Sequence, residues 1–102
     1  MEEFYKLILL EEAQKMVSEN ESNSDFIILD VRTPQEFQGG VIGNAINVDF
    51  YGSDFAEKVG EFDKEKTYLV YCRSGARSKA ATGLMKQSGF KKIYEVSGGI
   101  LG

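Results

Sequence analysis

The one cysteine of the chain, Cys72, lies in "YCRSGARSK", residues 71 to 79, and the chain has no histidine. A thiol attacks as its thiolate, with a reference pKa of about 8.5 that helix N-termini and nearby cations lower to roughly 3.5–7.5. Both influences are implied here. Gly75 can take positive φ, and the small residues of "CRSGAR" allow successive backbone N–H groups to turn inward as an anion cradle. A following helix adds the positive end of its dipole. Arg73, Arg77 and Lys79 add charge, while Ser74 and Ser78 offer hydroxyl donors. Cys72 is therefore expected to be a thiolate at neutral pH without an imidazole, in a loop that also recruits an anionic substrate. The alternative for a lone cysteine ending a buried strand is a small inert core residue. Arg-Ser-Gly-Ala-Arg-Ser is a poor lining for an apolar pocket and a good one for an anion.

The elements that position this loop follow from periodicity. Short β-branched or aromatic runs at "YKLI" (5 to 8), "FIIL" (26 to 29), "AINV" (45 to 48), "YLVY" (68 to 71) and "IYEV" (93 to 96) predict strands. Helical spacing links Leu10, Ala13, Met16 and Val17; then Phe55, Val59 and Phe62; then Ala80, Ala81, Leu84 and Met85. Alternating strands and helices imply βαβ crossovers and an α/β fold, a parallel sheet covered on both faces. "TPQE", residues 33 to 36, predicts a short helix: Thr33 caps it, Pro34 fits its first position, Glu36 closes a capping box, and Gly39 and Gly40 end it. The helix after Cys72 is expected over residues 76 to 88, with Gly89 left-handed and Phe90 covering its last turn. "SENESNSD", residues 18 to 25, reads as a polar loop. Cys72 then falls at the C-terminal end of an apolar strand, the edge where open α/β sheets bind ligands.

Composition bounds the partners. The 102 residues fit one small domain, 1 to 102, and 42% hydrophobic with 27% charged residues suits a globular chain. A net charge of −4 argues against gripping nucleic acid or anionic lipid. The acidic opening "MEEFYK" before "LILL" is neither a signal peptide nor a membrane span, and a lone cysteine suits a reducing compartment, so a cytoplasmic location is expected. With no histidine, a zinc site would need carboxylates alone; neither metal nor cofactor is expected.

Four segments, in order, resemble the rhodanese family: "LDVRTPQEF" (29 to 37), "GVIGNAINV" (40 to 48), "YLVYCRSGARS" (68 to 78) and "YEVSGGI" (94 to 100). The resemblance implies a three-layer α/β/α domain whose five-stranded parallel sheet has the order 3-2-4-5-1. It also implies sulfur transfer without a cofactor. Cys72 would take sulfane sulfur from a small anionic donor such as thiosulfate, hold it as a persulfide and pass it to a thiol or cyanide acceptor; a protein donor or acceptor is the further partner. On this basis the backbone amides of residues 73 to 77 hold the persulfide, so that Arg73, Ser74, Gly75, Ala76, Arg77 and Ser78 form the substrate-binding loop. Either Arg73 or Arg77 binds the sulfonate. Asp30 and Arg32, at the same sheet edge, would support the site by ion pairing and loop anchoring, and Glu36 is a capping or ion-pair residue rather than an acid catalyst.

The chain departs from the family's pattern at Val41, where histidine is common, and at Gly43-Asn44, which replace Pro-Gly. "GGILG" also stops where the family usually continues with a tryptophan. Two other functions compete with turnover of sulfur. One is a cysteine phosphatase or arsenate reductase, but such loops place five residues between cysteine and arginine, and here four, Arg73 to Ala76, separate Cys72 from Arg77. The other is a carrier or regulatory module that accepts sulfur from one protein and delivers it to another.

Overall fold

The computed structural model describes residues 3–100, so Leu101 and Gly102, the end of "GGILG", lie outside the described residues. Five strands, β1 (Phe4–Ile8), β2 (Phe26–Asp30), β3 (Ile46–Asn47), β4 (Thr67–Tyr71) and β5 (Lys92–Val96), alternate with four helices, α1 (Leu10–Glu19), α2 (Pro34–Gln38), α3 (Phe55–Gly60) and α4 (Ala76–Gln87). All pairings are parallel, in the order β1-β5-β4-β2-β3. Counted from the other edge, this is the expected 3-2-4-5-1.

Strand β4, between β2 and β5, is buried from Tyr68 to Tyr71, and its side chains divide by the two-residue period of a strand. Tyr68, Val70 and, just beyond the strand, Cys72 join Leu29, Val31, Phe55, Val59, Ala81, Met85 and Ile93 in the core under α3 and α4. Leu69 and Tyr71 point the other way, to a smaller cluster with Ile8, Ala13, Ile28 and Val96. Burying β4 on both faces places the Cys72 side chain beneath α4 rather than in solvent.

Local signals fix the helix ends. Thr33 Oγ1 accepts from the Glu36 N–H at 3.3 Å and Glu36 Oε1 accepts from the Thr33 N–H at 3.1 Å, completing the expected capping box of α2. Helix α4 ends at Gln87 with Ser88 as its cap. Gly89 has φ 93°, its N–H donates to Lys86 O at 3.2 Å, and the Phe90 N–H donates to Met85 O at 3.1 Å. These are the paired bonds that a left-handed residue after a helix allows.

Three expectations change. "AINV" shortens to a two-residue β3, because only Leu29 and Asp30 of β2 reach it in register. Helix α1 continues through Ser18 and Glu19, so the polar loop starts at Asn20. Ala80 is exposed; the buried stripe of α4 is Ser78, Ala81, Thr82 and Met85, of which Ala81 and Met85 join the apolar core and Ser78 and Thr82 meet Glu95 of β5. Among the described residues, no helix is long and apolar enough to cross a membrane.

At Gly89 a Cβ would meet only the Lys64 side chain at 3.8 Å, so backbone conformation alone sets the effect of substitution. Gly89→Ala is expected to destabilise the fold by about 1 kcal/mol in urea denaturation, without changing the site.

Candidate active site

Three residues that follow β4, Cys72, Gly75 and Ser78, build the centre of the site. The Cys72 Sγ accepts from the Gly75 N–H at 3.0 Å and the Ser78 N–H at 3.3 Å, and lies 3.5 Å from Ser78 Oγ. Of these donors Gly75 lies within the span 73 to 77 whose amides are expected to hold a persulfide, and Ser78 follows it. Cys72 is wholly buried. Burial pushes its thiol up, but hydrogen bonds from the Ser78 hydroxyl and from the N–H groups of Ser78, Gly75 and Ser74 outweigh burial, and the net pKa lies below the ordinary thiol value. Donors that face a sulfur favour its charged form, which explains the direction.

Glycines allow this geometry. Gly75, the residue before α4, has φ 104°, and lets the chain reverse so that its own N–H and that of Ser78, in the first turn of the helix, point back at Sγ. Gly98 and Gly99, at φ 75° and 69°, turn the chain after β5 directly against the cysteine loop. A Cβ on Gly99 would fall 2.6 Å from the Cys72 carbonyl oxygen and would also strike the Arg73 carbonyl. The Ile100 N–H donates to Cys72 O at 3.1 Å, tying the two loops together.

The two arginines have separate surroundings. Arg77 grips Glu36 with two parallel bonds, Nη1 to Oε1 at 2.7 Å and Nη2 to Oε2 at 3.0 Å, and its guanidinium lies 5.4 Å from the Tyr51 ring centre. This pairing raises the Arg77 pKa. Hydrogen bonds from Arg77, then from the Thr33 N–H, bring the Glu36 carboxyl down to about 2. Glu36 thus both caps α2 and pins the loop to it. Arg73 is exposed and has no ion-pair partner among the described residues. It lines a cleft of about 470 Å³ with Arg32, Glu36, Val41, Ile42 and Ile100. Ser74, Ala76 and Lys79 are exposed around the opposite side of the loop, whereas Ser78 is buried beneath it.

Asp30 and Arg32 meet at the same sheet edge but face each other. Arg32 Nη2 lies 2.7 Å from Asp30 Oδ2 and donates to Gly40 O at 2.6 Å. Asp30 Oδ1 accepts from the Arg32 N–H at 2.8 Å, and Oδ2 accepts from the Tyr71 hydroxyl at 2.9 Å. Tyr71 Oη in turn accepts from the Ile42 N–H at 3.1 Å. The pair is buried and anchors the turn that carries Val41, where the sequence departs from the family's histidine. Sequence reasoning missed Tyr71 as the hub of this anchor and Glu95 behind Ser78. The alternation of "YLVYC" contained the signal for Tyr71, and a carboxylate in the apolar run "IYEV" was the signal for Glu95.

Gly99→Ala is expected to cost about 2 kcal/mol or more in urea denaturation, because backbone oxygens rather than a mobile side chain block the methyl group. Glu36 supplies a pH test. Its folded pKa lies below the ordinary 4.5, so the stability it contributes is present above 4.5 and is lost as pH falls toward about 2. Thermal melts across that window should show a shallower acid slope for Glu36→Gln than for wild type.

Comparison with known proteins agrees with this geometry. Residues 9–102 match the family described as the Rhodanese-like domain. A sulfurtransferase of Allochromatium vinosum is 32% identical over 77 residues, covering 76% of this chain and 70% of that protein. A tRNA uridine(34) hydroxylase of Cytophaga hutchinsonii is 38% identical over 80 residues, 76% of this chain, which span only 26% of that protein. A crystal structure of a rhodanese-related protein from Thermoplasma volcanium superimposes with a TM-score of 0.70 at 32% identity, over 98% of this chain and 87% of that one. With the family match spanning nearly the whole chain and the cysteine loop closed by a double-glycine turn, the chain belongs to the rhodanese family.

Proposed function

We propose that the chain is a sulfurtransferase that carries sulfane sulfur as a persulfide on Cys72. The observation that carries this reading is the buried Sγ at the focus of the Gly75 and Ser78 N–H groups, in a loop with only four residues, Arg73 to Ala76, between Cys72 and Arg77. So short a loop suits one added sulfur atom better than a tetrahedral phosphoryl group. The Allochromatium relative, a sulfurtransferase by name, supports the same chemistry.

The reaction has two displacements. The Cys72 thiolate attacks the outer sulfur of thiosulfate; an S–S bond to Sγ forms, the bond to the sulfonate sulfur breaks, and its electron pair leaves on sulfite. A thiolate or cyanide then attacks the outer sulfur of the persulfide, and the pair of the breaking S–S bond returns to Sγ. No net oxidant or reductant is consumed. Loop amides stabilise the negative sulfur in both resting forms. Arg73, exposed and unpaired among the described residues, is the sulfonate contact, while Arg77, held by Glu36, positions the loop. A thiol that must stay reduced between turnovers suits the cytoplasm.

Mixing the protein with thiosulfate should add the mass of one sulfur atom to wild type and nothing to Cys72→Ser. Cyanide should then release thiocyanate with recovery of the original mass. Arg73→Ala should raise KM for thiosulfate on the order of tenfold with a smaller change in kcat, as expected for a ground-state contact. The loading rate should hold below the ordinary thiol pKa and fall only as pH drops through the lowered value, where the thiolate is lost. Sulfur loading from a protein donor with negligible thiosulfate turnover would identify a carrier instead. Aryl phosphate hydrolysis that depends on Cys72 would overturn the assignment.

A further inference from the structure

Directly behind the cysteine loop lies a buried carboxyl group that the proposed reaction does not use. Glu95, on β5, is 2% exposed, and the ion pairs among the described residues do not include it. Its partners among the described residues are three hydroxyls. Tyr5 of β1 and Thr82 of α4 donate to Oε1, the latter at 2.8 Å, and Ser78 donates to Oε2 at 3.4 Å. Lys79 shares a hollow of about 320 Å³ with Glu95 and Tyr5, and Lys86 is spent on the Tyr5 ring, with Nζ 3.8 Å from its centre. Arg77, the remaining cation of the loop helix's first turn, is held by Glu36.

Ser78 has one hydroxyl proton and three acceptors within reach: Glu95 Oε2, the Gly75 carbonyl at 3.2 Å and Cys72 Sγ at 3.5 Å. A hydroxyl that donates to a carboxylate turns a lone pair toward its other neighbour, and a lone pair favours a thiol S–H over a thiolate. A hydroxyl that donates to sulfur does the opposite.

We propose that Glu95 is a positioning residue for Cys72: by drawing the Ser78 proton toward itself it opposes the charge on Sγ, so that the N–H donors and Glu95 together set how readily the thiolate forms. The inference rests on the reading of Cys72 as the reacting thiol. Tyr5 and Thr82 then act at one remove. Each bond they donate to Glu95 weakens its pull on Ser78 and favours the thiolate. Burial, then Glu95 itself, pushes the Tyr5 hydroxyl to about 12, which keeps it a donor throughout the range that matters.

Ultraviolet thiolate absorbance against pH tests this, because Cys72 is the only cysteine and a Cys72→Ser control removes the tyrosine background. Glu95→Gln should move the Cys72 midpoint down by about one pH unit. Tyr5→Phe, which keeps the carboxylate and removes one of its donors, should move the midpoint up. In a Ser78→Ala background the Glu95→Gln shift should shrink to less than about half. An unchanged or raised midpoint in Glu95→Gln, an unchanged or lowered midpoint in Tyr5→Phe, or an equal Glu95→Gln shift with and without Ser78 would overturn the proposal. The mass gain with thiosulfate, measured on the same samples, separates the two readings. Midpoints that move as expected on a protein that gains no sulfur would leave Glu95 in its role and remove the sulfur-transfer assignment.

Discussion

Two backbone N–H groups converging on one buried sulfur set the terms for the rest of this molecule. A thiolate out of contact with water is unfavourable unless donors replace its hydration, and the donors here come from Gly75 and Ser78 at 3.0 and 3.3 Å. For both to point at Sγ, α4 must begin at Ala76 and the preceding residue must take positive φ, which Gly75 does. The sulfur must also arrive from the right direction, so Cys72 has to follow a strand in the interior of the sheet with the inward phase of Tyr68 and Val70. Gly99 completes the requirement, because any side chain there would collide with the Cys72 and Arg73 carbonyls.

The electrostatics around this focus are divided rather than pooled. Arg77 belongs to Glu36, Arg32 belongs to Asp30, and both pairs brace loops. A bidentate arginine held in this way has little freedom to follow an incoming anion. Arg73, which carries the same charge with no partner among the described residues, has that freedom. Behind the loop the surroundings change: the Glu95 carboxyl is buried close to Ser78, and its partners among the described residues are hydroxyls. The Cys72 sulfur therefore lies between a donor-rich loop and a buried carboxyl group, and Ser78 touches both.

Much of this was legible in the sequence where the signal was local. The Thr33–Glu36 capping box, the left-handed Gly89 and the placement of Cys72 at a strand end depend on residues within a few positions of one another, and the structure contains all three. Periodicity failed where packing overrode it. Ala80 has helical spacing and is exposed, because the face of α4 that meets β5 must accommodate Glu95 and is lined by Ser78 and Thr82. The alternation of strands and helices implied a parallel sheet but contained nothing about the order of its strands; that came with the family resemblance.

What the amino-acid sequence by itself determined was the kind of molecule: an α/β chain with one cysteine, set on a strand end and framed by glycine and cations. These are consequences of side-chain type and short-range spacing. The tertiary structure decided which charges are free and which are spent. Arg77 meets Glu36 across 41 positions, and Tyr5 meets Glu95 across 90. No local rule joins residues so far apart; only the parallel crossovers that stack β1 on β5 and set β4 between β5 and β2 bring their side chains within bonding distance.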